Sequence, residues 1–435
     1  MSVVFQPAPA VSSETIRFKV EVRDWDAEGD RAFSLALFGW CLSATGKPVE
    51  IEIYVHGTLI ASTPLTVDRP DVVTFLEQPD LPVRCGFHLR ISKLAIPPCG
   101  VLELKLWQSK DGASSRVLLG TLSGVPAARL SMRYVEKYNP LLLLAMGRSG
   151  TTYLMQLLGA HPEILVPGPH PYEMRQPVWL WHAANVLAAP ANIQSTQADS
   201  FETQNSMFVG SNPYRNRDWE KFSREQEAMQ WQEDVLPLEI IEFCKRQADE
   251  FIDRCCSGRA SIPRYIAQKM SISATGYFIE NVYPGLRQIF LVRDFRDVWL
   301  SARSFNRRRG DLSFERNQFP DDISWMRGLA FSSHQVRMNH LAAGPRAQCV
   351  RYEDLMADPG ATLQRLFERL GVAASADLVG SIVAGVAENN ENTIAHRTSE
   401  PGGASGRWRA EMTAEEKQVA GEVFGEDLAY FGYEL

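Results

Sequence analysis

The chain of 435 residues contains no apolar run near the roughly 20 residues that a membrane-spanning helix needs. Its start, MSVVFQPAPAVSSET, has neither the positively charged region nor the long apolar core of a secretory signal. The seven cysteines lack C-x-x-C spacing and the density of a secreted disulfide scaffold. We therefore expect a cytoplasmic protein with reduced thiols and no membrane span.

Two further shortages bear on the class of ligand. The net charge is −7 at pH 7, whereas a nucleic-acid partner requires an excess of Lys and Arg on one face. The eight histidines are scattered and have no suitably spaced carboxylate or cysteine neighbours, so the sequence predicts neither a nucleic-acid partner nor a metal site. The remaining composition is that of a globular protein, with 45% hydrophobic and 22% charged residues over a length that suits two domains.

The first part of the chain alternates hydrophobic and polar residues, most clearly at 16–22, 49–55 and 102–106. A period of two indicates half-buried strands, and no long helical pattern interrupts them. The sequence predicts an all-β sandwich over residues 1–125, a linker at 126–137 and a second domain at 138–435. It leaves open whether the sandwich is a packing or oligomerisation module or recognises a glycan, and it fixes no oligomeric state.

A loop that suits an anion begins the second domain. An apolar run ends at Gly147-Arg148-Ser149-Gly150-Thr151-Thr152, and apolar residues then resume at helical spacing. The two glycines allow a sharp turn, and the helix start supplies unpaired N–H groups and the positive end of its dipole. Arg148 adds charge, while Ser149, Thr151 and Thr152 add hydroxyl donors. Because Thr151 rather than Lys follows Gly150, the loop is not a Walker A motif.

The loop resembles the signature of sulfotransferases that use 3′-phosphoadenosine 5′-phosphosulfate (PAPS), which reads strand, [KR]-S-G-T-[ST], helix. A second element agrees, because residues 287–304 run from a strand into a helix with Arg293 at the strand's end and Ser301 eight residues on. In that family the element binds the 3′-phosphate of the nucleotide. A guanidinium offers forked donors to phosphate oxygens, and a hydroxyl can complete the contact.

Two later blocks extend the resemblance to residues 138–435. QCVRYEDL at 348–355 is similar to a strand that follows the 3′-phosphate element, and GGASGRW near the C-terminus is similar to a late loop carrying Gly-[RK]-Trp. The resemblance implies that Gly406 and Arg407 reach the nucleotide, and residues 389–406 have the composition of a mobile lid. Thr413 and Glu416 predict a capping box for the closing helix.

The resemblance implies an α/β fold, a P-loop-type parallel sheet flanked by helices, with ligands at the carboxyl ends of the strands. A long insertion from about Pro167 to Ser261 is where an acceptor pocket would be built. PAPS is the expected co-substrate, without a metal, because the transferred group carries a single negative charge that the loop amides and cationic side chains can meet. Those cations are Arg148 and Lys269, which resembles the family's lysine on the bridging oxygen.

The acceptor hydroxyl must lose a proton, and in the family the base is a Glu or a His. The segment after the loop's helix offers Glu173 and His170, of which we favour Glu173. The appended β domain favours a glycan or glycolipid hydroxyl as acceptor, and a small alcohol or phenol is the alternative. An ATP- or GTP-dependent enzyme and a nucleotide-binding protein without transferase activity remain as alternatives from other classes.

Overall fold

The computed structural model describes residues 3–9, 16–23, 33–44, 47–97, 100–110, 113–125, 127–128, 130–169, 172, 174, 176–189, 231, 235–312, 314–388 and 405–435. They belong to two compact units. The first comprises Met1–Val135, Trp179–Ala248 and Ser273–Pro284, and the second comprises Glu136–Val178, Asp249–Ile272 and Gly285–Leu435. The domain limits expected at residues 125 and 138 stay a prediction.

The strands in chain order are β1 (Val4–Pro7), β2 (Ile16–Arg23), β3 (Ser34–Ser43), β4 (Lys47–Val55), β5 (Thr58–Pro64), β6 (Val67–Asp68), β7 (Arg84–Ser92), β8 (Leu102–Lys110), β9 (Ala113–Ser123), β10 (Asn139–Leu144), β11 (Ile164–Leu165), β12 (Tyr265–Met270), β13 (Arg287–Val292) and β14 (Ala347–Arg351). The helices are α1 (Pro70–Phe75), α2 (Thr151–Gly159), α3 (Gln176–Leu187), α4 (Leu236–Cys255), α5 (Ala274–Val282), α6 (Phe295–Arg309), α7 (Asp322–Ala343), α8 (Tyr352–Ala357), α9 (Pro359–Leu370), α10 (Ala376–Glu388), α11 (Trp408–Glu411) and α12 (Ala414–Tyr430).

The first unit contains two antiparallel sheets, in the strand orders β1-β9-β8-β4-β5 and β2-β3-β7-β6. Alternate residues of both sheets enter one hydrophobic core, because successive side chains of a strand point to opposite faces. Leu37 and Leu89 come from one sheet, and Ile53 and Leu104 from the other. The predicted β-sandwich is confirmed, with β2, β4 and β8 at the three places where the alternation is clearest.

The first unit also includes a helix from the later part of the chain. α5 connects β12 to β13, yet it packs on the strands of the sandwich. The Tyr277 hydroxyl donates a hydrogen bond to the Val55 carbonyl at 3.2 Å, and the Asn281 amide donates to the carbonyls of Leu94 and Ile96 at 3.0 and 2.8 Å. The sandwich therefore has part of its support from beyond residue 125.

The second unit is built on a five-stranded parallel sheet in the order β11-β12-β10-β13-β14. Its strands are apolar on both faces, as expected for a sheet covered by helices on both sides. Leu143 and Ile289 share one core with Leu158 of α2 and Phe367 of α9. The predicted parallel α/β fold is confirmed.

The register brings the carboxyl ends of the strands to one edge of the sheet. Leu144 pairs with Met270 of β12 and with Phe290 of β13, and Val292 pairs with Arg351 of β14. The connections that follow β10, β12, β13 and β14 therefore start side by side. This edge is where a doubly wound sheet binds its ligand.

Side-chain caps define the starts of two helices in the second unit. The Asp294 side chain accepts a hydrogen bond from the Arg296 amide and so caps α6. The predicted capping box of Thr413 and Glu416 is confirmed at the start of α12.

None of the helices in the described part of the chain combines the length and the apolarity that crossing a membrane requires.

Candidate active site

The anion loop turns sharply between β10 and α2. Gly150 has φ 90° and caps α2, and Arg148 also has a positive φ of 70°. A Cβ atom on Gly150 would lie 2.6 Å from the Tyr352 ring, and one on Gly147 would lie 2.6 Å from the Phe314 ring. Both glycines are thus required by close approach, and Gly150 also by its left-handed backbone.

The loop presents the start of α2 as an anion site. Gly150 precedes the nine-residue helix without a side-chain cap, and Thr151 and Thr152 form its first turn. The first amides of a helix have no partner inside it, and its dipole is positive at this end. Ser149 is only 1% exposed, so the loop is packed into the protein on one side and open at the helix start on the other.

Arg293 connects this loop to the next strand. It directly follows β13, is 4% exposed, and donates a hydrogen bond from Nη1 to the Arg148 carbonyl at 2.9 Å. Its guanidinium also lies 4.8 Å from the centre of the Tyr352 ring. Ser301 is 1% exposed two turns into α6. The structure therefore brings the two sequence signatures, the loop and the Arg293 element, to one place.

The electrostatics of the loop are strongly positive. The Arg148 guanidinium lies 4.4 Å from the centre of the Phe305 ring. Burial, together with the like charges of Arg293 and Arg308, lowers the pKa of Arg148 to about 10. Arg308 belongs to the basic last turn of α6. Such a shift means that the surroundings disfavour the cation, and an anion bound at the loop would reverse that balance.

Lys269 lies on β12 beside the loop's own strand. It pairs in register with Leu143 and is followed by Met270, the last residue of β12. The side chain is half-buried. The structure thus places Lys269 on the strand next to the strand that leads into the anion loop.

The segment that carries Gly406 and Arg407 is fastened to α6. The amides of Gly406 and Trp408 donate hydrogen bonds to the two carboxylate oxygens of Asp297, at 2.5 and 2.9 Å. Burial raises the pKa of Asp297 to about 6. Arg407 donates from Nη2 to the Ser304 hydroxyl at 3.1 Å, and its Nη1 is buried without an acceptor among the residues that the structure describes.

The Tyr-Glu-Asp block after β14 serves as a brace. Glu353 accepts hydrogen bonds from the Asp294 amide at 3.1 Å and from the Tyr433 hydroxyl at 2.7 Å. The same hydroxyl is 3.2 Å from the Val292 carbonyl. These contacts hold the end of β13, so the block positions Arg293.

Some predicted site residues lie outside the described residues. These are both candidate bases, Glu173 and His170, and most of the proposed lid, at 389–404. Their roles stay predictions. In the described ranges, no three His, Cys, Asp or Glu side chains come together in a group that could hold a metal ion.

The structure adds a cavity that the sequence did not reveal. It has a volume of about 110 Å³ and is lined by Gly147 of the loop, Ser271 after β12, and residues of α6 and α7. Glu315, on the connection between those two helices, also lines it. No sequence motif marks Glu315, because that connection has neither periodicity nor a recognised signature.

The geometry agrees with the comparison to known families. A model described as the Sulfotransferase family matches residues 140–376, which is more than half of the chain. The chain therefore belongs to the sulfotransferase family. No curated protein matches the chain.

Several solved structures are similar to the chain. The sulfotransferase domain of the Synechococcus PCC 7002 olefin synthase is 19% identical, with a TM-score of 0.35, and the match covers 70% of this chain and 99% of that one. An Alicyclobacillus acidocaldarius sulfotransferase is 16% identical, with a TM-score of 0.35 and coverage of 69% and 98%. A mouse sulfotransferase complexed with PAP is 13% identical, with a TM-score of 0.36 and coverage of 68% and 85%.

Proposed function

We propose that this sulfotransferase moves a sulfuryl group from PAPS to the hydroxyl of an acceptor. The observation that carries the proposal is the positive cluster at the anion loop. Buried Arg293 donates a hydrogen bond to the carbonyl of Arg148, and burial, with a further contribution from the charges of Arg293 and Arg308, lowers the pKa of Arg148. A donor with several anionic groups fits this cluster because each contact would be charge-assisted.

The residues divide between the two ends of the donor. The loop from Gly147 to Thr152 supports binding of the 5′-phosphosulfate, through its amides and the hydroxyls of Ser149, Thr151 and Thr152. Arg293 and Ser301 are assigned to the 3′-phosphate, since they lie on the neighbouring β13–α6 element. Gly406 and Arg407 complete this end, because the Arg407 side chain reaches Ser304, one turn of α6 beyond Ser301.

The transfer requires the acceptor oxygen and the departing phosphate to stand in line on either side of the sulfur. Negative charge grows on the departing oxygen, and fixed cations and amides stabilise it without reorganisation. Arg148 and Lys269 are the proposed cations, from the loop that follows β10 and from the adjacent strand β12. A base opposite the loop takes the hydroxyl proton, and Glu173 and His170 are the residues expected from the sequence to do so.

The acceptor is proposed more coarsely. A glycan or glycolipid is the class that the appended sandwich favours, and a small alcohol or phenol is the second. A cytoplasmic location and a recognition role for the sandwich stand as parts of the same proposal. The two acceptor classes predict different results in an acceptor screen, because only a glycan or glycolipid acceptor contains a saccharide.

The direct test is transfer of radiolabelled sulfate from PAPS to a panel of monosaccharides, glycolipids, primary alcohols and phenols. We expect a labelled ester in at least one class, and a rate that falls on Lys269→Ala or Arg148→Ala but not on Arg327→Ala. Arg327 is a suitable control because it is an exposed arginine that pairs with Glu422. If the chain binds adenosine 3′,5′-bisphosphate (PAP) but labels nothing, it is a nucleotide-binding protein without transferase activity.

A further inference from the structure

The cavity beside the anion loop lies where an acceptor would meet the donor. Gly147 forms part of its wall, and Ser271 comes from the carboxyl end of the adjacent strand β12. Ala302 of α6 and Ser332 of α7 are distant from them in sequence but line the same space. An oxygen held in this cavity is next to the loop that is proposed to bind the sulfuryl group.

The size and lining of the cavity restrict what can enter. Its volume of about 110 Å³ is smaller than the roughly 150 Å³ of a cavity that takes up benzene. Apolar side chains such as Val298 and Leu329 line it together with polar ones such as Ser332. A narrow CH₂–OH arm therefore suits the cavity, with the remainder of the acceptor outside.

Glu315 is the carboxylate of this cavity. Its backbone is left-handed, with φ 63°, a conformation that is costly for a residue other than glycine and that often occurs at functional sites. Among the residues that the structure describes, its carboxylate makes no hydrogen bond or ion pair. The side chain is accessible to solvent, and the protein around it raises the pKa of Glu315 by desolvation.

We propose that Glu315, in place of the sequence candidates Glu173 and His170, is the general base for a primary hydroxyl that enters this cavity, an inference that rests on the proposed sulfuryl transfer. The hydroxyl proton passes to a carboxylate oxygen of Glu315 while the hydroxyl oxygen forms the new O–S bond. The S–O bond to the 5′-phosphate breaks, and its electron pair stays on the phosphate oxygen. The products are a sulfate ester, PAP and a protonated Glu315, which then releases its proton to water.

Binding of the donor is a poor alternative role for this carboxylate. A negative side chain would repel the phosphates and the sulfuryl group, whereas it would attract the developing positive charge of a hydroxyl that is losing its proton. A general base also needs access to the acceptor and a pKa raised towards the working pH, and Glu315 has both.

The test uses the full chain, PAPS and a series of short primary alcohols from ethanol to 1-hexanol. Glu315→Gln should lower kcat by about 10²–10⁴-fold, the usual contribution of a general base, and should leave the affinity for PAP unchanged within about twofold. Glu415→Gln is the matched control, because Glu415 is exposed on α12 and away from the cavity. Ser332→Leu should fill the cavity and raise the KM of the alcohols without affecting PAP binding.

A comparison of ethanol with the more acidic 2,2,2-trifluoroethanol separates a base from a merely structural residue. The rate loss of Glu315→Gln should be smaller for trifluoroethanol, because a more acidic hydroxyl needs less help with its proton. An equal loss for both alcohols, or a variant that keeps more than a tenth of the wild-type rate, would overturn the assignment. So would a wild-type chain that binds PAP but transfers sulfate to no primary alcohol. Failure to bind PAP would instead remove the proposed function itself.

Discussion

The anion loop and the cavity beside it share one edge of the parallel sheet, but their side chains differ in kind. On the loop's side, the polar groups are buried and held, with Ser149, Arg293 and Ser301 at 1%, 4% and 1% exposure. On the cavity's side, polar groups such as Ser271 and Ser332 lie among apolar side chains, and the carboxylate of Glu315 is accessible. Charge is thus concentrated where the donor is proposed to bind, and shape dominates where the acceptor is proposed to enter.

The loop and the cavity should therefore control different properties of the enzyme. Buried charge-assisted contacts recognise one anionic ligand and tolerate little change. A small cavity selects mainly by size and discriminates weakly between similar groups. Substitutions on the loop's side should therefore cost donor affinity or stability, whereas those in the cavity should change rate and acceptor choice.

The largest effect is expected at Gly150. Gly150→Ala places a Cβ atom 2.6 Å from the Tyr352 ring in a left-handed backbone, at φ 90°. Backbone strain of about 1–2 kcal/mol and overpacking of about 1–3 kcal/mol should together lower the free energy of unfolding by about 2–5 kcal/mol. Urea unfolding measures it. The control Gly380→Ala has open space around its Cβ in α10 and should gain up to about 1 kcal/mol. Equal effects at both glycines would refute the close approach.

A smaller loss is expected at the 3′-phosphate contacts. Arg293→Ala should weaken PAP binding by about 2–3 kcal/mol and Ser301→Ala by about 1 kcal/mol, because a charge-assisted contact is worth more than a neutral one. Isothermal titration with PAP and with adenosine 5′-phosphosulfate, which lacks the 3′-phosphate, provides the contrast. Arg327→Ala should change neither affinity. If the Arg293 and Ser301 variants weaken both ligands equally, the two residues do not bind the 3′-phosphate.

Asp297, which accepts hydrogen bonds from the amides of Gly406 and Trp408, should make the free energy of unfolding depend on pH. Burial raises the pKa of Asp297 to about 6, above its ordinary value, so the folded state binds the proton more tightly than the unfolded state. This contribution to stability is present at low pH and is lost as the pH rises through about 6. Between pH 7.5 and 5, the wild type should gain about 1.4 kcal/mol relative to Asp297→Asn. Thermal or urea unfolding at both pH values measures the gain, and parallel pH curves would contradict it.

Removal of metal ions is expected to have no effect on the rate of sulfate transfer. Because Arg148, Arg293 and Lys269 are the proposed sources of positive charge around the donor, we expect sulfate transfer to proceed unchanged in excess EDTA. Rates with and without the chelator provide the measurement. Loss of turnover that Mg²⁺ or Zn²⁺ restores would mean that a metal carries the charge instead.

Much of the anion loop's side could be predicted from the sequence, because the residues that determine it are close together in the chain. A strand, a turn that needs glycine and a helix start are all encoded within a few residues, and the structure places Gly150 and Thr151 accordingly. The capping box of Thr413 and Glu416 is local in the same way. Arg293 followed from a resemblance, and the structure adds its contact to the loop carbonyl.

The acceptor side could not be predicted, because it depends on contacts distant in sequence. Glu315 and Ser271 belong to different connections, and nothing in their neighbourhoods indicates that one cavity unites them. The same holds for α5, whose pattern indicates a helix but not that Tyr277 and Asn281 bind the sandwich. Glu173 and His170 remain candidates from the sequence alone.

The central claim is that the positive cluster at the loop binds a PAPS-type nucleotide. Isothermal titration of the full chain with PAP, and separately with ATP plus Mg²⁺, tests it most directly. We expect saturable binding of PAP that is weakened by Arg293→Ala, and much weaker binding of ATP, which has no 3′-phosphate. Tighter binding of ATP with Mg²⁺ than of PAP would show that the cluster does not recognise a PAPS-type nucleotide and would favour a nucleoside-triphosphate enzyme.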